Sequence, residues 1–311
     1  MAPSDAPSAS SQPSASSPVV ILNPGGNRGH AARLRPALER ALAGGRGELV
    51  LTRTPAEAAD RVRAAALAGR GVVAVGGDGT VAVVANALLA AGAPVPLGIV
   101  PAGNGNDYAC ETVHLPRDPL AALEIALTGT PVAMDVGMVN GRYFLNSLGV
   151  GIDANIAAAA EDLKRVPFLH GQALYWASSL RELLLHYDRC PELRITLDGQ
   201  PDESHLYALV AVNLGPTAGG GFKINPGADP HDGLLDVCII WKPPLLRALQ
   251  LLPMVEKGTH ITQPEVKRTR VRMIELTSIK PVYAHLDGEV ITAASFDARI
   301  LPGALRVRQA T

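Results

Sequence analysis

The sequence predicts an α/β fold joined to a β-rich one: a Rossmann-like, doubly wound domain followed by an antiparallel β-sandwich. Short apolar runs alternate with helical patterns through the first 130 residues, and three of those runs end in Gly- or Asn-rich turns. Beyond Thr130 the dipeptides Asn140-Gly141 and Asp198-Gly199 separate runs of β character. Strand–helix alternation implies an open parallel sheet with helices on both faces. Asn-Gly and Asp-Gly supply the positive φ angles of two-residue hairpins, the mark of antiparallel pairing.

Taken in order, the run Pro18-Val19-Val20-Ile21-Leu22 reads as a buried strand stopping at Asn23-Pro24-Gly25-Gly26. Leu34, Leu38 and Leu42 recur at helical spacing. A strand over 48–52, a helix over 55–68 and a strand over 72–75 follow, the last ending in Gly76-Gly77-Asp78-Gly79-Thr80. A helix over 81–91 and a strand over 97–100 lead to Pro101-Ala102-Gly103-Asn104-Gly105-Asn106-Asp107. In open α/β sheets ligands bind at the carboxyl ends of the strands, so the three turns should converge on one crevice. Further strands are expected over 194–197, 207–213, 235–240, 270–276 and 282–286, with helices over 173–186 and 245–255. The division expected is a Ser/Ala/Pro-rich disordered tail (1–17), an α/β domain (18–133) and a β-rich domain (134–311) whose last strand is free to pack back on the first.

At 311 residues, 47% of them hydrophobic, the chain can bury the cores of two domains. A net charge of -1 provides no global field for nucleic acid. Cys110, Cys190 and Cys238 are odd in number and widely spaced, which argues against disulfides or a zinc site and fits a reducing compartment. The tail lacks the apolar core of a signal peptide. No apolar run reaches the roughly 18 residues of a spanning helix, so membrane contact would be peripheral.

Closely spaced glycines at residues 76–79 let backbone N–H groups approach phosphate oxygens, and the following helix N-terminus favours negative charge. Asp78 would repel phosphate unless a divalent cation lies between them, which points to a metal nucleotide. No G-x-G-x-x-G follows the first strand and no Walker lysine motif is present.

The ordered set Asn23-Pro24, Gly76-Gly77-Asp78-Gly79-Thr80, Pro101-x-Gly-x-x-Asn106-Asp107, Asp135-Val136-Gly137, Gly219-Gly220-Gly221-Phe222-Lys223, residues 226–236 and Leu286-Asp287-Gly288-Glu289 resembles the diacylglycerol kinase and sphingosine kinase superfamily, the bacterial diacylglycerol kinases in particular. Gly-Gly-Asp-Gly-Thr alone also occurs in NAD kinases, with a close variant in phosphofructokinases, so a nucleotide site of that type is implied. The resemblance implies transfer of a phosphoryl group from ATP, with Mg²⁺, to the hydroxyl of diacylglycerol or a related lipid alcohol. It assigns nucleotide binding to Asn23, Pro24, Gly25, Gly26, Asn27, Thr52, Gly76, Gly77, Asp78, Gly79, Thr80 and Asn104. Asp78, Asp107 and Asp135 are implied as carboxylates around the active-site Mg²⁺; Asp229, Asp232 and Leu234 would hold a second, structural one. Asp287 is implied as general base, with Glu289 supporting it. Gly26 and Asn104 stand where relatives usually carry hydroxyl side chains, although the Asn104 amide can still donate a hydrogen bond.

A cytoplasmic protein, peripheral at the inner membrane face and without a nucleic-acid partner, is the setting implied; a homodimer stays open. Alternatives are a soluble-substrate kinase of the NAD kinase or phosphofructokinase type, and a non-catalytic nucleotide- or lipid-binding regulator. The motifs of the second half argue against the first, and the presence of Asp78, Asp107, Asp135, Asp287 and Glu289 against the second.

Overall fold

The computed structural model describes residues 17–29, 31–163, 171–202 and 204–310, so the predicted tail, Ser17 excepted, lies outside the described residues. In the first half β1 (Val19–Leu22), α1 (Arg35–Ala41), β2 (Glu48–Leu51), α2 (Pro55–Leu67), β3 (Val72–Gly76), α3 (Asp78–Ala91), β4 (Leu97–Pro101) and α4 (Pro119–Thr128) alternate. Strands β1, β3 and β4 are buried along their whole length, as parallel strands covered on both faces must be. They pair in parallel in the order β4-β3-β1-β2. Alternate residues serve opposite layers. Ile21, Ala74 and Ile99 share a core with Val62 of α2 and Val84 of α3, while Val20, Val73 and Val100 share one with Leu38 of α1 and Leu123 of α4. Thr54 and Asp118 cap α2 and α4 through the Glu57 and Ala121 amides, each cap followed by proline.

The second half comprises β5 (Thr130–Val139), β6 (Arg142–Phe144), β7 (Ser147–Gly151), α5 (Ile152–Leu163), α6 (Gly171–His186), β8 (Glu192–Leu197), β9 (Gln200–Pro201), β10 (His205–Asn213), β11 (Leu235–Trp241), α7 (Leu245–Lys257), β12 (Val266–Val271), β13 (Met273–Leu286) and β14 (Glu289–Gln309). Its strands are antiparallel and enclose a core of Phe144, Leu148, Ile195, Val210, Val237, Leu276 and Phe296, giving the sandwich expected. Two long strands turn its corners. β13 pairs with β8 through Ile274 and with β7 through Leu286, its register against β14 shifting between Thr277 and Val282. Such irregularities let one strand serve two layers.

The same device ties the halves together. β14 leaves β13, pairs with β5, shifts register between Leu301 and Leu305, and ends parallel to β4 with Val307 opposite Leu97. Leu305 and Val307 thereby enter the core of the first half. Helix α5 carries no signal that the sequence reading used, and the strand expected over 270–276 is two strands. The break falls at Arg272, where the Arg272 and Met273 amides both donate to the Asp198 carboxylate, each at 2.9 Å.

Asn86 of α3 imitates a strand residue: its side-chain amide donates to the Tyr143 carbonyl (3.1 Å) and its carbonyl accepts the Tyr143 amide (3.1 Å). Asn86→Ala removes both bonds between α3 and β6 and should cost about 2 kcal/mol, at roughly 1 kcal/mol per bond. Urea unfolding at an unchanged m-value is the check; an unaltered midpoint would show that this junction adds nothing.

Candidate active site

Strand pairing aligns Leu22 with Leu51 and Val75, and Gly76 with Pro101, so the carboxyl ends of four strands form one edge. The sequence-predicted turns lie on it. Asn23 Oδ1 accepts the Gly25 amide (3.1 Å), Pro24 follows, and Gly26 and Asn27 open a 3-10 turn. Thr52 is buried, and its amide donates to the Leu22 carbonyl (3.0 Å). The turns after β3 and β4 touch backbone to backbone: a Cβ on Gly77 would lie 3.0 Å from Gly103 Cα, and one on Gly103 would lie 2.4 Å from Gly77 Cα. Only glycine at 103 allows that approach. Gly79 and Thr80 belong to the first turn of α3, whose amino end opens on this edge. Asn104 is exposed at the rim, whereas Asn106, in the left-handed region at φ 60°, clamps the turn by exchanging bonds with Gly103 N and O.

Asp78 is the first residue of α3 rather than its cap. Its carboxylate accepts the amides of Asn106 (2.9 Å) and Tyr108 (3.1 Å). Asp107 opens a single π-helical turn (Asp107–Thr112), and its carboxylate accepts the Gly220 amide at 2.7 Å and the Thr217 hydroxyl at 3.3 Å. Removal from water, then the charge of Asp78, pushes Asp107 up to about 6. Asp78 is also raised by removal from water, with its amide partners opposing.

Asp287, at φ 48°, starts the two-residue turn between β13 and β14. One carboxylate oxygen accepts the Asn146 and Ser147 amides (both 2.9 Å), the other the Leu145 amide (2.7 Å). Removal from water raises its pKa against those three amides, and the charge of Asp78 adds to the rise. Asp78, Asp107 and Asp287 thus form one electrostatic cluster. Glu289 is exposed and pairs with Arg142 at 2.7 Å.

Asp135 is held elsewhere. It is buried, with one oxygen accepting the Gly233 amide and the other the Gly303 amide, both at 2.7 Å. Among the described residues no three His, Cys, Asp or Glu side chains are grouped to hold a metal ion. Asp78 and Asp107 nevertheless fit Mg²⁺, which is commonly held by one or two carboxylates together with substrate phosphates and water. Two repelling, poorly hydrated carboxylates are the donors such a cation would neutralise. The turn with Asp229, Asp232 and Leu234 does not fit a second cation as arranged. One amide each, from His231 to Asp229 and from Leu234 to Asp232 (both 3.0 Å), would not bar a cation; the neighbouring arginine does. Arg270, 3.6 Å from Asp232 and 3.2 Å from Asp236, already supplies positive charge there.

Sequence reasoning missed several residues that organise the cluster. The Asn146 side chain accepts from Thr112 (2.9 Å) and donates to the Thr217 carbonyl (2.7 Å), linking three segments. Tyr175, Asp153 and His285 form a buried chain behind Asp287: Tyr175 donates to Asp153 (2.6 Å), Asp153 meets His285 (2.8 Å), and His285 Nδ1 receives the Gly288 amide (3.3 Å). No local signal marks them. Asp153 and Tyr175 also line a mainly apolar cleft, open to solvent, between α5, α6 and α7 and the sheet.

A two-domain phosphotransferase-type architecture, with a glycine-rich edge facing an aspartate cluster, is the class these features define. Residues 17–139 match the diacylglycerol kinase catalytic domain, and residues 146–309 match the YegS C-terminal NAD kinase beta sandwich-like domain. The chain is 33% identical over 244 residues to a diacylglycerol kinase of Mycobacterium tuberculosis, covering 76% of this chain and 75% of that one. It is 34% identical over 294 residues to the "Probable lipid kinase YegS-like" of Pseudomonas fluorescens, covering 93% and 94%. A diacylglycerol kinase structure from Bacillus anthracis shares the fold at a TM-score of 0.69 and 19% identity, over 94% of this chain and 97% of that one. An NAD kinase from Archaeoglobus fulgidus in complex with ATP aligns at 0.50 and 15% identity, over 93% and 91%. The chain belongs to the diacylglycerol kinase and YegS-like lipid kinase family.

A carboxyl at 3.8 unfolded and about 6 folded binds its proton more tightly in the native state. Its contribution to stability is therefore fully present below about pH 4 and lost as pH rises through 6. In metal-free buffer at pH 7.5, Asp107→Asn should raise stability by about 2 kcal/mol, a gain that vanishes near pH 4. Thermal melts across pH test this; equal melting temperatures at pH 7.5 would show that Asp107 carries no such penalty.

Proposed function

We propose that the protein transfers the γ-phosphoryl group of ATP to the hydroxyl of diacylglycerol or a similar lipid alcohol. The observation that carries the lipid reading is the apolar cleft behind Asp287, lined by Ile152, Ile156, Leu209, Phe222, Leu251 and Val255. Apart from Asp153 and Tyr175, which bond to each other, that wall offers a soluble phosphorylated acceptor few polar partners, whereas an acyl chain is matched to it. Near the cleft-lining Pro243, the chain end of α6 meets the start of α7 through a Tyr187–Pro243 hydrogen bond. Leu184, Leu185 and Leu246 of those helices are exposed, and the Lys242 ammonium sits 5.2 Å from the Tyr187 ring. Exposed leucines beside a cation suit a peripheral membrane contact through which a lipid could enter. No helix among the described residues is long and apolar enough to cross a bilayer.

Phosphoryl transfer depends on alignment and charge neutralisation more than on covalent help from the protein. The backbone of residues 77–79 and 104–105, with the amino end of α3, offers amides that cradle the phosphates, while the Gly103 and Thr80 amides hold the turns themselves. Asp78 and Asp107 would hold Mg²⁺, which when bound offsets phosphate charge. Asp287 faces this pair, and its Oδ2, engaged by a single amide, keeps a lone pair for the acceptor hydroxyl. As the hydroxyl oxygen bonds to phosphorus, the bond from phosphorus to the ADP oxygen breaks and the hydroxyl proton passes to Asp287. The raised pKa of Asp287 makes it a better proton acceptor than an exposed aspartate.

Asp287→Asn should lower turnover of diacylglycerol about 10²-fold while ATP affinity by calorimetry stays close to parental. The matched control is Asp198→Asn, whose carboxylate only receives the Arg272 and Met273 amides and whose amide oxygen can still do so. Normal turnover by folded Asp287→Asn would sink the base assignment. For the cleft, Ala248→Phe fills space on the α7 wall and should raise the KM for long-chain diacylglycerol about tenfold, with the KM for ATP unmoved. An unchanged lipid KM would place the acyl chain elsewhere.

A further inference from the structure

Asp287 needs to be held, because its charge is poorly hydrated. The three amides of Leu145, Asn146 and Ser147 grip the carboxylate from one side. On the other side the turn is anchored through Gly288. Its amide donates to His285 Nδ1, so that nitrogen carries the lone pair and the ring proton resides on Nε2, where it donates to Asp153 Oδ2 at 2.8 Å. Asp153 Oδ1 accepts the Tyr175 hydroxyl at 2.6 Å. Both oxygens are therefore engaged by protein donors, which makes Asp153 an orienting group rather than a ligand for the acceptor. His285 and Asp153 are 4% exposed each, and they pack over Gly149, where a Cβ would fall 2.3 Å from His285 Nε2 and 2.4 Å from Asp153 Oδ2.

The chain reaches further than one turn. The Tyr175 ring lies 4.4 Å from that of Phe222, two residues beyond Gly220, whose amide holds Asp107. Tyr175, Asp153 and Phe222 also form part of the cleft wall. The elements touching this chain are α5 through Asp153, α6 through Tyr175, β13 through His285, β7 through Gly149, and the loop that carries Phe222. It occupies the space between the cleft, the Asp287 turn and the loop that fixes Asp107.

We propose that Tyr175, Asp153 and His285 act as positioning residues, setting the Asp287-Gly288 turn relative to the Asp78 and Asp107 carboxylates and to an acceptor in the cleft. This inference rests on Asp287 being the proton acceptor. Its physical basis is alignment: a displacement of about 1 Å in a reacting group can cost about 10²-fold in rate without weakening ground-state binding. A residue that merely stabilises the fold would lower melting temperature and leave the turnover of the folded fraction intact.

The test compares two substitutions that divide the imidazole's roles. His285→Asn places an oxygen near Nδ1 and preserves an acceptor for the Gly288 amide; His285→Gln places a donor near Nε2 and keeps the Asp153 contact alone. With diacylglycerol in mixed micelles, His285→Gln should lose about 30-fold in kcat with the ATP KM unchanged, and His285→Asn, which keeps the Gly288 contact but disconnects Asp153 and Tyr175, should lose about tenfold. Parental kcat in the Gln variant, or equal losses in both, overturns the proposal. Should either variant fail to fold, Tyr175→Phe decides: a roughly tenfold lower kcat at constant ATP KM and melting temperature supports the relay, and parental kcat overturns it. Asp287→Asn is assayed beside them. Full turnover there removes the base assignment itself, whereas an impaired Asp287→Asn with parental relay variants removes only the relay.

Discussion

Backbone amides holding buried or half-buried carboxylates across long stretches of sequence are the interaction on which this structure depends. Asp107 is tied to Gly220, 113 residues away, and Asp135 to Gly233 and Gly303, 98 and 168 residues away. Asp287 is tied to Leu145, Asn146 and Ser147, about 140 residues away. Asp78 joins the turns after β3 and β4. A charge-assisted bond from an amide to a carboxylate is stronger than one between neutral groups, and the cost of leaving such a carboxylate unpaired is severe. These bonds fix how the sandwich sits against the parallel sheet more specifically than apolar packing could.

The same bonds concentrate negative charge in one crevice. Asp107 and Asp287 both feel the charge of Asp78, and none of the three has an arginine or lysine partner among the described contacts. By contrast the acidic turn near Asp232 and Asp236 is balanced by Arg268 and Arg270. Two acidic clusters of similar composition are thus treated differently. One is neutralised internally and serves as structure; the other is left to be neutralised by what binds, a stability cost typical of functional sites.

Asp198-Gly199 and Asp287-Gly288 show how little a local motif settles. Both aspartates adopt positive φ, at 46° and 48°, both open two-residue turns, and both accept amides from a neighbouring strand. In isolation either would be read as a hairpin, and as structure each is one. What separates them is placement. Asp198 grips the exposed break between β12 and β13, whereas Asp287 is half-buried, adjacent to the Asp78 charge and backed by His285 and Asp153.

The sequence by itself determined the elements whose signal is local. Apolar runs at β1, β3 and β4, caps at Thr54 and Asp118, and Gly-rich turns at 76–79 and 103–105 made the parallel sheet and its binding edge legible. Their chemistry is complete within a few residues, because burial on both faces, capping and close backbone approach each leave a short signature. Motif order also singled out Asp78, Asp107 and Asp287, whose charges meet in one cluster. Tertiary structure alone decided that Asp135 turns to Gly233 and Gly303, that Glu289 pairs with Arg142, and that Asp229 and Asp232 lie beside an arginine. It alone brought Asn146, Asp153, Tyr175 and His285 around Asp287. Those residues meet where β13 pairs with β7, the strand that α5 follows, and β13 is bent by a register shift that no two-residue alternation announces. A side chain's partner is set by where the backbone takes it, and here the backbone crosses between layers before it delivers them.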